Sequence, residues 1–205
     1  MTLLVVTAVE AERDAVRAGL NGIDVLAAGV GMAAAAAGTA RALALGRYDA
    51  VVSAGIGGGV SGRVPVGGPV LADRSVAADL GADSPDGFLS LDALGFGRTA
   101  VEVDASLLAR LRAALPDATV GPVLTVTTVT GTADGTARLL SRYPDAVAEA
   151  MEGFGVATAA AQAGVAFAEI RTISNLIGPR EQNLWRIADA LQTLTVTFAA
   201  LGRSR

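Results

Sequence analysis

The chain has no cysteine and no histidine among its 205 residues. Without cysteine it can form neither disulfides nor thiolate metal sites, and without histidine it lacks the commonest zinc ligand. The same absences exclude Ser-His-Asp and Cys-His catalysis. Acid–base chemistry must therefore come from other groups, such as carboxylates, tyrosine or bound water, and we expect neither a metal nor a cofactor.

Basic charge and long apolar runs are also scarce. Sixteen Lys and Arg face twenty Asp and Glu, for a net charge of −4, which argues against binding to nucleic acid or to an anionic membrane. The longest weakly polar stretch, residues 25–40, is too short to cross a bilayer. Residues 1–9 lack the basic segment that begins a secretory signal. We therefore expect a cytoplasmic protein.

Hydrophobic residues make up 52% of the chain, and many of them are alanine, so we expect a folded chain with closely packed helices. Apolar runs such as Leu3–Thr7 and Phe167–Ile173 alternate with helical segments such as Met32–Leu45. This alternation predicts an α/β fold, with one three-layer α/β/α domain over residues 1–205 and a central mixed, largely parallel twisted sheet.

Three further segments carry structural predictions. Residues 79–97 contain Pro85 and several glycines and are predicted to form a loop. Residues 55–68 are predicted to form a glycine-rich loop, and residues 184–201 a long terminal helix. In the glycine-rich loop, residues 55–59 could present successive backbone N–H groups to a ligand, because glycine allows the backbone to approach closely.

Two glycine patterns resemble dinucleotide-binding fingerprints, but neither has the required context. The pattern at residues 57–62 is followed by Pro65, which cannot continue a helix. The pattern that begins at Gly29 and Gly31 lacks an acid at the end of the next strand, since Asp49 precedes that strand. Close backbone packing explains Gly29 and Gly31 better, and a dinucleotide-dependent oxidoreductase is kept only as an alternative.

Polar residues follow the apolar strand that is predicted over Phe167–Ile173. Ser174 and Asn175 lie where a parallel strand opens into a ligand crevice, at its carboxyl end. Arg171 lies inside the same apolar strand, and a buried Arg is rarely without a partner. We therefore expect Arg171 to pair with a carboxylate or to face a site.

Two groups of acids are candidates for the same crevice. Glu10 and Glu12 follow the first strand, but residues two apart do not share a helix face, so only one of them can point inward. By residue type alone, complementation of the helix dipole at the surface explains them better. Glu152 could accept both hydroxyls of a vicinal diol or simply lie at a helix N-terminus, and both interpretations stay open.

These residues occur in an order that resembles one family. Residues 6–12, residues 28–31, the glycine-rich segment from Ser53, Ala150–Gly153 and residues 171–175 resemble successive motifs of the methylthioadenosine/S-adenosylhomocysteine nucleosidases, in the nucleoside phosphorylase superfamily. The resemblance implies a nucleoside phosphorylase-like fold and a small nucleoside as substrate. It also implies a homodimer or higher homo-oligomer.

The sequence departs from that family at two positions. Asn175 stands where the family has an aspartate that protonates the base, and Ile56 stands where it has a serine that contacts water. An amide can accept from a purine N7–H and donate to a 6-oxo group, which adenine lacks. With Gly178, Pro179 and Trp185, the segment resembles the futalosine hydrolases of menaquinone biosynthesis, which cleave futalosine to hypoxanthine and dehypoxanthine futalosine.

The resemblance implies the following roles. Glu12 is the general base that acts on water, and Arg171 orients Glu12 or that water. Glu152 binds the ribose 2′- and 3′-hydroxyls and stabilises an oxocarbenium-like transition state, while Met151 packs against the ribose. Asn175 holds N7 and O6 of the base.

The base and the water have further predicted neighbours. The resemblance implies that Val129 and Thr130 flank the base. Because Ile56 replaces the serine, the backbone N–H of Gly57 is expected to contact the water instead. Three alternatives remain: a methylthioadenosine/S-adenosylhomocysteine nucleosidase, a purine nucleoside phosphorylase whose phosphate would need Arg63, Arg74 or Arg98, and a nucleoside-binding module without activity.

Overall fold

A computed structural model describes residues 2–203 of the chain. The strands are β1 (Leu3–Thr7), β2 (Asp24–Ala27), β3 (Ala50–Gly59), β4 (Pro69–Ala77), β5 (Gly81–Ser84), β6 (Gly87–Ser90), β7 (Ala100–Glu102), β8 (Thr119–Thr125), β9 (Ala148–Ala150) and β10 (Ala166–Leu176). The helices are α1 (Glu10–Gly19), α2 (Met32–Leu45), α3 (Leu91–Leu94), α4 (Ala105–Ala114), α5 (Ala133–Arg142), α6 (Gly153–Ala163) and α7 (Ile187–Arg203), with a 3₁₀ turn at Gln182–Leu184.

Eight of the strands form one mixed sheet, as the sequence predicts. β1 pairs in parallel with β2 and β3, and β3 pairs in parallel with β10. The sheet continues through β4, β8 and β9, and β9 then returns to pair antiparallel with β3. Strands β3, β10, β4, β8 and β9 therefore close into a ring, with β1 and β2 extending from β3 and β7 added to β4.

Helices cover the sheet in two groups, which confirms the α/β architecture. α7 packs on β10 and contacts both α1 and α4, while α2 packs against α6. The α2–α6 contact depends on small residues, because a Cβ on Gly155 would lie only 2.2 Å from the carbonyl oxygen of Met32. Within residues 2–203, no helix is both long and apolar enough to cross a membrane.

The strands of the main sheet are buried because their sequences are mostly apolar. Val5, Val51, Ile170 and Ile173 are each completely or almost completely inaccessible to solvent, as expected for strands that are covered on both faces. The carboxyl ends of β1, β3 and β10 reach the same edge, since these three strands are parallel. That edge is where the predicted site residues meet.

Three predictions about local structure are wrong. Residues 55–59 belong to strand β3, and Gly58 and Gly59 pair with both β9 and β10. Residues 79–97 are not a loop: they contain the β5–β6 hairpin and helix α3. The terminal helix begins at Ile187, because the 3₁₀ turn precedes it.

Candidate active site

A cavity of about 270 Å³ opens at the carboxyl edge of the ring. Most of the predicted site residues line it: Glu12, Ile56, Gly57, Val129, Thr130, Met151, Glu152 and Asn175. They come from the ends of β1, β3, β8, β9 and β10, so residues distant in sequence are brought together by the ring. Arg171 is not part of the lining and lies behind it, 1% exposed.

Glu12 is buried and is held by three backbone N–H groups. Its Oε2 accepts from Ala8 at 2.9 Å and from Val9 at 3.2 Å, and its Oε1 accepts from Ile56 at 2.9 Å. Glu12 is the third residue of α1, so it caps that helix from inside the cavity. Glu10 instead points to solvent and pairs with Arg13. The surface interpretation is therefore wrong for Glu12 and right for Glu10.

The backbone of Gly55 approaches Glu12 too closely to carry a side chain. A Cβ at this position would lie 2.5 Å from Glu12 Oε1 and 3.0 Å from Arg171 Nη1. Glycine is required here because the strand must pass directly beneath two charged groups. Ile56, which replaces the expected serine, contributes its backbone N–H to Glu12 rather than a side-chain donor to the cavity.

Glu152 lies across the cavity and is fixed by three donors from different parts of the chain. Its Oε1 accepts from the backbone N–H of Gly31 at 3.1 Å. Its Oε2 accepts from the backbone N–H of Met151 at 3.3 Å and from Arg171 Nη1 at 3.2 Å. Gly31 has a φ of +92°, which favours glycine, so the turn after β2 serves to hold this carboxylate.

Arg171 pairs with carboxylates, as its position in an apolar strand predicts. Its Nε donates to Glu169 at 2.9 Å, and Nη2 donates to the hydroxyl of Ser53 at 2.9 Å. Burial lowers the pKa of the guanidinium, but Glu169, Glu152 and Glu12 outweigh that effect and raise it. Arg171 is therefore a buried cation that joins Glu169 to the cavity carboxylate Glu152.

Ser174 and Asn175 lie at an irregularity of β10, where the pairing with β3 skips one residue. The Ser174 hydroxyl is 3.2 Å from the carbonyl oxygen of Gly57 and 2.8 Å from Asn175 Oδ1. Asn175 Nδ2 donates to the carbonyl oxygen of Leu176 at 3.0 Å. These contacts orient the amide and place it at the cavity wall.

The outer wall of the cavity is formed by side chains that are partly exposed. Val129 is 42% exposed, and the guanidinium of Arg180 lies 4.9 Å from the centre of the Trp185 ring. The segment 178–180 and Trp185 follow β10 and complete this wall. It is more exposed than the part of the site that holds Glu12 and Glu152.

Two buried acids were not singled out from the sequence. Glu149, in the middle of β9, lines the cavity and receives hydrogen bonds from the N–H and hydroxyl of Thr130. Burial raises its pKa. Glu169 lies behind the cavity on Arg171, and burial raises its pKa as well. Each is a charged residue in a mostly apolar strand, the same signal that identified Arg171.

The chain matches known proteins over almost its whole length. Residues 7–204 match the model of the phosphorylase superfamily. A futalosine hydrolase of Streptomyces coelicolor is 51% identical, over 95% of this chain and 92% of that protein. A futalosine hydrolase of Acidothermus cellulolyticus is 48% identical, over 97% of this chain and 89% of that protein.

Solved structures show the same fold at lower identity. The 5′-methylthioadenosine/S-adenosylhomocysteine nucleosidase of Neisseria meningitidis, in complex with methylthio-immucillin-A, superposes with a TM-score of 0.86 at 18% identity, covering 100% of this chain and 99% of that chain. The Streptococcus pneumoniae enzyme superposes with a TM-score of 0.84 at 20% identity, covering 98% and 99%. The chain belongs to the phosphorylase superfamily and, within it, to the futalosine hydrolase family.

Proposed function

We propose that this protein hydrolyses the N-glycosidic bond of futalosine and releases hypoxanthine and dehypoxanthine futalosine. The observation that carries the proposal is one cavity that holds two fixed carboxylates, Glu12 and Glu152, beside the amide of Asn175. The name of the relatives at 51% and 48% identity supports the substrate. The protein would then act in menaquinone biosynthesis. We also propose that residues 1–205 form one domain.

Glu12 is suited to act on water because its remaining acceptor capacity faces the cavity. A carboxylate has about four lone-pair sites, and three of those of Glu12 are taken by backbone N–H groups. The fourth lone-pair site can accept a proton from water while the oxygen of that water forms a bond to C1′. The C1′–N9 bond breaks with its electron pair going to the purine, which takes up a solvent proton at N7.

Glu152 is suited to bind the sugar. Its carboxylate accepts one hydrogen bond on Oε1 and two on Oε2, which leaves one acceptor site, on Oε1, for a hydroxyl of the ribose diol. A fixed negative charge near C1′ stabilises the positive charge that develops there. Arg171 acts as a positioning residue in this scheme, since it touches Glu152 and not the cavity.

Asn175 retains capacity for a base after its local contacts are made. One lone pair of Oδ1 takes the Ser174 hydroxyl, and one hydrogen of Nδ2 goes to Leu176. An amide has a second lone pair and a second N–H. These two groups match N7–H and O6 of a departing hypoxanthine.

Phosphate is not favoured as the nucleophile. Arg63 donates to the carbonyl oxygen of Ala146, and Arg74 pairs with Asp145, so both are engaged outside the cavity. Arg98 does not line the cavity either. Among the lining residues that the structure describes, Arg180 is the one cation, and it lies over Trp185.

The test is release of free base from futalosine, inosine and methylthioadenosine by the purified protein, each with and without phosphate. We expect hypoxanthine from futalosine, unaffected by phosphate. Phosphate-dependent cleavage of inosine would make the protein a phosphorylase, and adenine release would make it a methylthioadenosine/S-adenosylhomocysteine nucleosidase. Binding of nucleosides without any release would make it a binding module.

We also propose a cytoplasmic homodimer or higher homo-oligomer. Apolar side chains at the cavity mouth are solvent-exposed in the single chain, among them Val9 at 42%, Val30 at 57% and Ile187 at 43%. A second copy that covers this rim would remove them from water and close the pocket over the 5′ substituent. Sedimentation should show a dimer or larger species, and a monomer at micromolar concentration would reject the proposed homo-oligomer.

A further inference from the structure

The carboxylate of Glu149 lines the cavity, yet the proposed reaction does not use it. The residue is only 4% exposed. Thr130 donates its N–H to Oε1 at 2.8 Å, and the Thr130 hydroxyl bonds to Oε2. These contacts occupy about two of the four lone-pair sites of a carboxylate. The group therefore keeps acceptor capacity that can be directed at a ligand.

Glu149 and Asn175 lie on either side of one glycine. Gly58 pairs with Glu149 on β9 and with Asn175 on β10. Residues in register on neighbouring strands point to the same face of a sheet, and strands are spaced by about 4.8 Å, so the two Cα atoms are about 10 Å apart. The carboxylate and the amide thus face the cavity from opposite sides of a position that has no side chain.

The space above Gly58 is occupied by the side chain of Ile177, so position 58 has no room for a side chain of its own. A Cβ there would lie 2.7 Å from Ile177 Cγ2 and 3.6 Å from Asn175 Nδ2. Ile177 forms an apolar floor between the two polar groups and also lines the cavity. A flat ring with an apolar face and a polar edge fits between an amide and a carboxylate in this arrangement.

We infer that Glu149 accepts a hydrogen bond from N1–H of a 6-oxopurine and is the second residue, with Asn175, that selects this base. The inference rests on the proposed function, since it concerns the base of the same substrate. A 6-oxopurine carries a donor at N1 beside its O6 acceptor, whereas a 6-aminopurine has a bare acceptor at N1. An ionised carboxylate can only accept, so it favours the first pattern and opposes the second.

Thr130 is the positioning residue for this contact. Its N–H and hydroxyl both bond to Glu149, and its carbonyl oxygen accepts from Gly178 at 3.4 Å. Thr130 therefore ties the loop after β8 to the segment after β10 and fixes the rotation of the carboxylate. Because the orientation of the carboxylate is fixed, the effect of an amide at position 149 can be predicted.

In a Glu149→Gln variant, the Thr130 N–H requires an oxygen at the place of Oε1. The amide nitrogen must then occupy the place of Oε2, where it donates instead of accepting. A donor opposes N1–H of a 6-oxopurine and suits the bare N1 of adenine. The substitution should thus reverse the preference for the base while the side-chain size stays the same.

The experiment measures binding of hypoxanthine, 1-methylhypoxanthine and adenine by calorimetry to the wild type, Glu149→Gln and Glu149→Ala. A hydrogen bond to a charged group predicts that the wild type prefers hypoxanthine to 1-methylhypoxanthine by roughly 10- to 100-fold. Glu149→Gln should lower the hypoxanthine-to-adenine affinity ratio by a similar factor. Glu181→Gln is the control, because Glu181 is exposed and is not in the lining.

Several outcomes separate this inference from the proposed function. An unchanged base ratio in a folded Glu149→Gln variant would overturn the inference, as would equal wild-type affinities for hypoxanthine and 1-methylhypoxanthine. The second result needs no variant, so it decides even if substitution prevents folding. If the wild type turns over futalosine but binds hypoxanthine and 1-methylhypoxanthine equally, the role of Glu149 is rejected and the proposed reaction stands. N1 discrimination without turnover rejects the reaction and supports the role of Glu149.

Discussion

The two ends of the cavity are built differently. At the acid end, Glu12, Glu152 and Arg171 are buried and hold one another or backbone N–H groups from distant segments. At the base end, Asn175 bonds to its own neighbours in sequence, and Arg180 lies over Trp185, five residues later. Long-range contacts therefore fix the groups that would break the bond, and local contacts orient several groups that would select the base.

This difference implies that reaction and selectivity can be separated by substitution. Changes at the acid end should remove turnover or destabilise the whole ring, because its strands carry those contacts. Changes at the base end should alter the preference between substrates at small cost in stability.

The largest effect is expected for Glu12→Gln. An amide cannot take the proton of the attacking water, and loss of a general base typically costs about 10²- to 10⁴-fold in turnover. The measurement is the rate of base release together with binding of a substrate analogue, which should persist. Glu10→Gln is the matched control, because Glu10 is two residues away and exposed. Turnover within about tenfold of the wild type would remove Glu12 as the base.

Arg171→Met should destabilise the fold. The substitution leaves Glu169 and Glu152 without their cation, and breaking a buried pair in this way costs about 3–5 kcal/mol. Urea unfolding measures the loss. Arg74→Met is the control, since the Arg74–Asp145 pair is partly exposed and should be worth less than about 1 kcal/mol. Equal losses in the two variants would contradict the structural role of the buried network.

Asn175→Asp should change the choice of base and leave the fold intact. A protonated aspartate can donate to N7 but no longer donates from an amide to O6, so the ratio of kcat/KM values should shift toward 6-aminopurines by roughly 10- to 100-fold. Asn183→Asp, at an exposed position in the 3₁₀ turn, should leave the ratio unchanged. A ratio that stays the same in Asn175→Asp would refute the 6-oxopurine argument.

The smallest effect is a pH dependence of stability due to Glu149. Burial raises its pKa, so the folded state binds this proton more readily than the unfolded state. The resulting cost to stability is present above the folded pKa and disappears as pH falls toward the unfolded value of about 4.5. Relative to the wild type, Glu149→Gln should therefore gain stability from acid to neutral pH. Denaturation across this range measures the difference, and a gain toward acid would contradict it.

Local sequence signals predicted the regular elements well. Met32–Leu45 is a helix with the predicted bounds, because an alanine-rich segment bounded by glycine strongly favours a helix. Asp104 caps α4 by accepting from the N–H of Leu107 at 2.9 Å, as an aspartate before a helix predicts. The order of the motifs also identified Glu12 and Glu152, two of the three acids that line the cavity in the part of the chain that the structure describes.

Tertiary contacts explain the errors. Residues 55–59 looked like a loop because glycine is rare in strands. The structure needs glycine there because β3 passes closely beneath Glu12 at Gly55 and beneath Ile177 at Gly58. The β5–β6 hairpin was missed because its strands are short and Pro85 and Gly87 dominated the local pattern. Glu149 was missed because its importance depends on Thr130, which is 19 residues away in sequence.

The most direct test of the central claim follows the oxygen that attacks C1′. Futalosine is turned over in heavy-oxygen water in the presence of phosphate, and the sugar product is analysed by mass spectrometry. The account predicts a label at C1′, no sugar phosphate, and loss of both products in Glu12→Gln. An unlabelled sugar 1-phosphate would contradict it and would make phosphate the nucleophile.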